Sequence, residues 1–286
     1  MELIFLILFL LGILDGGVYM LMSIGISLLF GVMKIVNFAQ GTIVLLGAYI
    51  LYTLESQFKI NPLVFMPASI LVGTIVGYVL YLFSITPLIK RKDFENQTML
   101  VTFAAFLVLQ NMILLIWGPA PQAIVSIFSV TGLHLFGHVF LPESYFITFI
   151  ATLVGLLLLY FVLFKTNFGR AVRAISQDVS GAMLMGININ STYMLSFALA
   201  TALAGAGGAM VGLVYSFDPN FGFTLLLISF GIVAVGGLGN LKGTAIASII
   251  IGIVQSFTQY YAITYTNGVI YATILLAILI RGRLTH

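Results

Sequence analysis

The residues in this chain that are able to do chemistry are few, and most of them are neutral. His134 and His138 stand four apart in a stretch punctuated by Pro119, Pro121 and Pro142. Such a pair holds a metal only on a helix and with further ligands. The chain has no cysteine to add one, so the pair is expected to be loop residues and no metal site is expected. The run Gly236-Gly237-Leu238-Gly239-Asn240-Leu241-Lys242-Gly243-Thr244 combines glycines with a lysine and a threonine. It has neither the G-x-x-x-x-G-K-[ST] order of a phosphate-binding loop nor G-x-G-x-x-G. No acid/base pair of the kind a membrane-embedded enzyme needs stands out. The chain is therefore expected to bind no nucleotide and no cofactor, and not to be an enzyme. What remains is polar groups set among apolar runs, namely Asp15, Asn37 and Gln40 beside Gly41, Gln110 with Asn111, and Gln255. One polar stretch, residues 165–191, carries Arg170, Arg173 and Asp178.

The elements that must position these groups follow from composition. Of 286 residues, 61% are apolar and 7% charged, against roughly 45–50% and about 25% in soluble domains. A chain this apolar cannot cover itself with a polar surface in water, so lipid is its expected solvent. Net charge +3 arises from a few basic clusters, which argues against nucleic acid as a partner. The apolar runs are continuous rather than alternating, which selects helices over a barrel. At roughly 20 residues per crossing, the runs are 3–33, 38–54, 63–89, 98–117, 145–164, 192–217, 223–238, 244–262 and 269–280. The first is interrupted by Asp15-Gly16-Gly17 and reads either as one long tilted helix or as a short segment followed by a full span. The expected fold is an all-α polytopic transmembrane helix bundle of eight to ten spans, one domain over residues 1–286. The opening MELIFLILFLLGIL lacks the basic start and small-residue cleavage site of a signal peptide, so it is expected to stay in the mature chain.

Basic residues accumulate in short cytoplasmic loops. Alternating the spans brings Lys90-Arg91-Lys92, then Lys165, Arg170 and Arg173, then Arg281 and Arg283, to one side, with Lys34 and Lys242. The other side holds Glu55, Lys59, Glu143 and Asp218. The C-terminus and the 165–191 loop are thus expected to be cytoplasmic, and 118–144 external. Within the polar loop, residues 180–185 suit a short surface helix, Gly186 a helix stop and Ser191 an N-cap for the next span.

The stretch GRAVRAISQDVSGAMLMGIN resembles the cytoplasmic loop of branched-chain amino acid ABC permeases of the LivH type. It matches that pattern at Gly169, Arg170, Ala171, Val172, Arg173, Ala174, Asp178, Ala182, Gly186, Ile187 and Asn188. Gly181 stands where the family usually has alanine. Phe30-Gly31-Val32 with Asn37-Phe38-Ala39-Gln40-Gly41 is similar to the family's F-G-V-x-x-x-N-F-A-H-G, glutamine replacing histidine. Gln110-Asn111 before Trp117-Gly118-Pro119, the small residues from Ser196 to Gly208, and Gly236 to Gly243 resemble further family segments, in order, from about Gly16 to Gln259. The resemblance implies a permease subunit that translocates branched-chain amino acids across the cytoplasmic membrane. It implies a second permease subunit, two cytoplasmic ABC ATPase subunits that hydrolyse the ATP, and an extracytoplasmic solute-binding protein. It also implies that the 165–191 loop couples to the ATPases through Gly169, Arg170, Arg173, Asp178, Ala182 and Gly186.

The residues themselves leave alternatives open. Asn37, Gln40 and Gly41 read either as part of the translocation path or as a tight polar turn at the membrane surface beside Lys34. Gln110, Asn111 and Gln255 read as pore-lining groups or as helix–helix hydrogen bonds. Asp15 lies inside the membrane if the first region is a single span. Asp218-Pro219-Asn220 reads as a turn. Residues 30–42 are echoed by 230–244, an apolar run, a polar break and a second run, as in transporters built from two related halves. Urea or short amides are the alternative cargo, and a stand-alone secondary transporter or channel the alternative machine. Ion-coupled carriers place acids in mid-span, and between residues 98 and 217 the acids fall in loops.

Overall fold

The computed structural model describes residues 2–89, 91, 93–125, 132–135 and 139–284; Lys90, Lys92 and His138 lie outside them. The chain runs through α1 (Glu2–Met33), α2 (Gln40–Phe58), α3 (Met66–Leu80), α4 (Phe94–Trp117), α5 (Glu143–Lys165), α6 (Asn167–Gln177), α7 (Val179–Leu184), α8 (Ile189–Val214), α9 (Phe221–Gly236), α10 (Leu241–Ala262) and α11 (Thr266–Leu284). A π-turn, Tyr81–Ile85, extends α3. A short hairpin of β1 (Gly132–Leu135) and β2 (Val139–Pro142) precedes α5. The protein is an all-α polytopic bundle, because helices alone satisfy every backbone amide without water.

Six helical runs among the described residues are long and apolar enough to cross a membrane: Ile4–Met33, Pro62–Leu88, Phe94–Trp117, Glu143–Lys165, Ile189–Val214 and Leu241–Arg281. The last contains both α10 and α11. α9 is apolar but has only 16 residues, and α2 is also outside this set, which is where the sequence count of eight to ten and the six long runs diverge. The first region is one uninterrupted helix of 32 residues, about 48 Å at 1.5 Å per residue against about 30 Å of hydrocarbon. Asp15 therefore lies in mid-helix.

α1 and α8 form the centre. In their apolar stretches 61% and 72% of residues are buried, against 17% in α4 and 22% in α5, whose outward faces carry residues such as Leu115 and Leu157 into lipid. Small residues set the central contacts. α1 lies along α10 with backbone against backbone: a Cβ on Gly252 would meet the Gly16 nitrogen at 2.3 Å, and one on Gly12 the Ile253 Cα at 2.4 Å. α8 meets α2 and α3 in the same way, Gly208 against the Val44 carbonyl and Gly205 against that of Ser69. In lipid such close approach supplies dispersion contact that larger residues would block. Asp15-Gly16-Gly17 is thus part of a packing seam and not a break.

One end of the bundle gathers the basic residues. The end of α1, the α5–α6 junction and the α9–α10 turn converge around a cavity of about 150 Å³ lined by Gly31, Leu163, Arg173 and Gly239. Arg281 donates to the carbonyls of Ala234 and Val235 at 3.2 and 2.9 Å, and Tyr81 at the end of the α3 run donates to Asn190 at 2.7 Å. Lys34, Arg91, Lys165, Arg170, Lys242 and the end of α11 therefore share this face, and the N-terminus of α1 is at the opposite one. At that opposite end Trp117 donates to Thr53 at 2.8 Å, and Gln122 pairs with Phe217 as a single bridge.

The packing gives a direct contrast. Gly252→Leu is expected to lower the unfolding free energy by about 1–3 kcal/mol, the range for overpacking. Gly268→Ala, with nothing within 4 Å of its added methyl, should not lower it, and should raise it by up to about 1 kcal/mol because alanine is the better helix residue. Denaturant titration of both variants in one detergent measures the difference.

Candidate functional site

The 165–191 loop folds as an elbow of two short helices. Thr166, extended at φ −110° and ψ 162°, ends α5 and caps α6 by accepting from the Gly169 amide at 3.1 Å. A Cβ on Gly169 would come within 2.1 Å of the Leu163 carbonyl oxygen, so only glycine lets α6 fold back against the end of α5. The Arg173 guanidinium donates to that same Leu163 carbonyl and lies 5.2 Å from the Phe164 ring centre, while Arg170 is exposed and donates to Asn167. Val172 and Ile175 are buried beneath α6. Asp178 leaves helical geometry and caps α7, accepting from the amides of Ser180 at 2.9 Å and Gly181 at 3.0 Å. Gly186, at φ +79°, stops α7, with the Ile187 amide reaching back to the Ala182 carbonyl at 3.1 Å, a Schellman closure. The N-cap of α8 is Asn188, whose side chain accepts from the Ser191 amide at 3.0 Å, and not Ser191 as the sequence suggested. Asn188 precedes the first helical residue with extended ψ and so meets the free amide first.

The six loop residues singled out from the sequence are thus brought together at one elbow. Gly169 and Ala182 are buried, Arg173 points inward, and Asp178 and Gly186 form the ends of α7. Outside them α7 turns an apolar tip to the surroundings: Leu184 is 90% exposed and Met185 83%, between exposed Gln177, Asp178 and Ser180. Methionine and leucine at a helix end give no periodic signal in sequence, so this tip was not legible there. Exposed apolar clusters rimmed by polar residues occur at protein–protein and membrane contacts.

Residues 34–39 break the chain between α1 and α2. Lys34 adopts φ 58°. Asn37 accepts from the Ala39 amide at 3.1 Å, and Gln40 donates to the Ala200 carbonyl on α8 at 3.1 Å. Thr102 on α4 accepts from the Phe38 amide at 3.2 Å. Asn37 and Gln40 are almost wholly buried, and Gly41 packs on the Gly222 carbonyl and Leu226. Gln110 and Asn111 are elsewhere, on α4: Gln110 donates to Asn220 at 3.1 Å, and Asn111 is exposed and bonds its own helix at Leu107. The structure therefore joins Asn37, Gln40 and Gly41 to one another and separates Gln110 and Asn111 from them.

A second polar group is buried toward the bundle end opposite the basic residues, where Tyr215 caps α8. The Tyr215 hydroxyl donates to Asp15, the Gln255 amide donates to the Tyr215 hydroxyl at 3.2 Å, and the Tyr19 hydroxyl donates to Gln255. Asp15 and Gln255 stood out in the sequence as polar residues in apolar runs. Tyr19 and Tyr215 did not, since tyrosine is common in such runs and only helix packing unites residues 200 positions apart.

With these sites placed, comparison identifies the family. The model for the branched-chain amino acid transport system / permease component matches residues 8–279. The chain belongs to the branched-chain amino acid permease family. Among its relatives, the probable branched-chain amino acid transport permease protein LivH of Methanocaldococcus jannaschii is 34% identical, over 87% of this chain and 79% of that one. The high-affinity branched-chain amino acid transport system permease protein LivH of Escherichia coli K12 is 27% identical, over 94% and 91%. A solved structure, PsaBC from Streptococcus pneumoniae in complex with Fab, shares the fold with a TM-score of 0.52 and 15% identity, over 94% of this chain and 89% of that one. The six long apolar runs and the permease family together make the chain a multi-pass membrane protein.

In this permease family member, Asp178→Ala removes both cap bonds of α7. Hydrogen exchange over residues 179–185 is expected to show α7 weakened by about 1 kcal/mol. The exchange of α8 should stay as in the parent protein.

Proposed function

We propose that this chain is a permease subunit of an ATP-binding-cassette importer that carries branched-chain amino acids across the cytoplasmic membrane. The family match over residues 8–279 carries this reading. In it the basic end of the bundle, with the C-terminus, faces the cytoplasm, in line with the rule for basic loops. A second permease subunit completes the pathway, two cytoplasmic ATPases drive it, and an extracytoplasmic solute-binding protein delivers the cargo.

The loop elbow supports the coupling role. The tip at Leu184 and Met185 enters a groove on an ATPase. The Arg173 bond to Leu163, the close packing of Gly169 on the Leu163 carbonyl and the buried Val172 and Ile175 make α6 and the end of α5 one lever. Closure of the ATPases on nucleotide then tilts α5 and α1 together, because Gly17 and Thr152 tie these helices through a 3.0 Å hydrogen bond. Close-packed interiors transmit such displacement instead of absorbing it.

Three measurements test this. The reconstituted complex should take up labelled leucine in an ATP-dependent manner and leave labelled urea outside; the reverse preference removes the cargo assignment. Leu184→Asp is expected to lower both ATPase co-purification and uptake by about tenfold or more, about 1.4 kcal/mol of coupling, with no change in thermal stability, since that side chain is exposed. Because the chain has no cysteine, Ser176→Cys can be labelled by a membrane-impermeant maleimide. Labelling in inverted vesicles and not in intact cells is expected, and labelling of intact cells sinks the orientation.

A further inference from the structure

Asp15 is 2% exposed and sits in the middle of α1. Its hydrogen bond comes from Tyr215, and among the described residues no lysine, arginine or histidine pairs with it. An acid this buried is a candidate functional group, because burial without a counter-charge is unfavourable. The bundle instead links it to an open space. Tyr215 and Gln255, joined to Asp15 in series, line a cavity of about 210 Å³ together with Tyr19. The same cavity presents the neutral amides of Gln259 and Asn267 and the aliphatic side chain of Ile228. It is smaller than the roughly 300–1,000 Å³ of sites for drug-sized ligands, so it suits a small solute.

The hydrogen-bond inventory shows which kind of ligand group the cavity suits. A tyrosine hydroxyl has one proton and two lone pairs. Tyr215 spends its proton on Asp15 and one lone pair on Gln255, which leaves one acceptor. Tyr19 spends its proton on Gln255 and can also accept. These acceptors suit a donor, and the acid behind them suits a group whose positive charge favours its ionised form. An ammonium group supplies both. Bound to the Tyr215 hydroxyl, it would lie about two hydrogen-bond lengths from Asp15, roughly 5–6 Å, within the range over which opposite charges stabilise one another.

We propose that this cavity receives the ammonium group of the transported amino acid, with Tyr19 and Tyr215 as acceptors and Asp15 as the counter-charge one hydrogen bond behind them. This rests on the reading of the chain as an amino acid permease and adds the group it recognises. The amides of Gln259 and Asn267 donate to the cargo carboxylate, and Ile228 meets the aliphatic side chain. Holding the ammonium through a hydroxyl, and not by direct ion pairing, keeps the attachment weak enough for release.

The test uses the purified complex of permease and ATPases in nanodiscs, without the solute-binding protein, and saturation-transfer NMR with three probes. Leucine and isoamylamine, which carry the ammonium, are expected to bind; isocaproate, which lacks it, should bind about tenfold or more weakly. Asp15→Asn should weaken leucine binding by about tenfold, and Asp15→Glu should keep it within about threefold. Isocaproate binding as well as isoamylamine in the parent complex overturns the proposal, as does leucine binding to Asp15→Asn at parent strength. If Asp15→Asn fails to assemble, the comparison of the two analogues on the parent complex decides alone. ATP-driven leucine uptake by the complete system separates the two readings. Parent-level uptake through Asp15→Asn removes this site and leaves the transport function standing. A parent system that carries urea and not leucine removes the function itself.

Discussion

Two helices in lipid gain nothing by hiding apolar side chains from each other, since the acyl chains around them are as apolar as leucine. What holds this bundle is the close approach of backbones, and the protein depends on small residues that permit it. Gly12, Gly16 and Gly252 bring α1 onto α10, and Gly205 and Gly208 bring α8 onto α3 and α2. These contacts make α1 and α8 central and leave α3, α4 and α5 facing lipid on most of their surface. The helix order does not predict this arrangement, because the partners are far apart in sequence.

The same closeness explains where polar groups can survive. Several buried side chains reach a backbone group or another polar side chain that the seams bring within range. Gln40 reaches the Ala200 carbonyl in a space left open by Gly25, where a Cβ would stand 2.5 Å from the Gln40 amide. Thr152 reaches Gly17, and Thr244 bonds Ser27 at 3.1 Å. The break at residues 34–39 is tolerated for the same reason, its amides being taken up by Thr102 and Asn37. The break at 237–240 follows a related construction, with Gly237 and Gly239 at positive φ and Asn240 capping α10 through the Gly243 amide. The two breaks meet where Gly31 faces Gly239.

At the basic end, residues divide into those that build the elbow and those it presents. Gly169, Arg173, Asp178, Ala182 and Gly186 all build it, through steric room, a carbonyl bond, a cap, a buried methyl and a left-handed stop. Leu184 and Met185 are what it presents. The residues that carry the family resemblance are thus the scaffold of the elbow, while the exposed apolar side chains lie between them.

The amino-acid sequence by itself determined the solvent, the helical class, the two polar breaks and the basic end. Each follows from local properties: hydropathy over about 20 residues, chain stops at glycine and asparagine, and the placement of lysine and arginine. Gly186 as a helix stop was legible because only a residue tolerant of positive φ fits there. The tertiary structure alone decided that residues 2–33 are one helix, since Asp15-Gly16-Gly17 is intelligible only against Ile249 and Gly252 of α10. It decided that Asn188 and not Ser191 caps α8, that Arg173 turns inward, and that Gln110 stands apart from Gln40. It also gathered Tyr19, Tyr215 and Gln255 around Asp15. The physical reason is common to all of these. A side chain's role in lipid is set by which backbone lies within a few ångströms of it, and that backbone comes from a helix distant in the sequence.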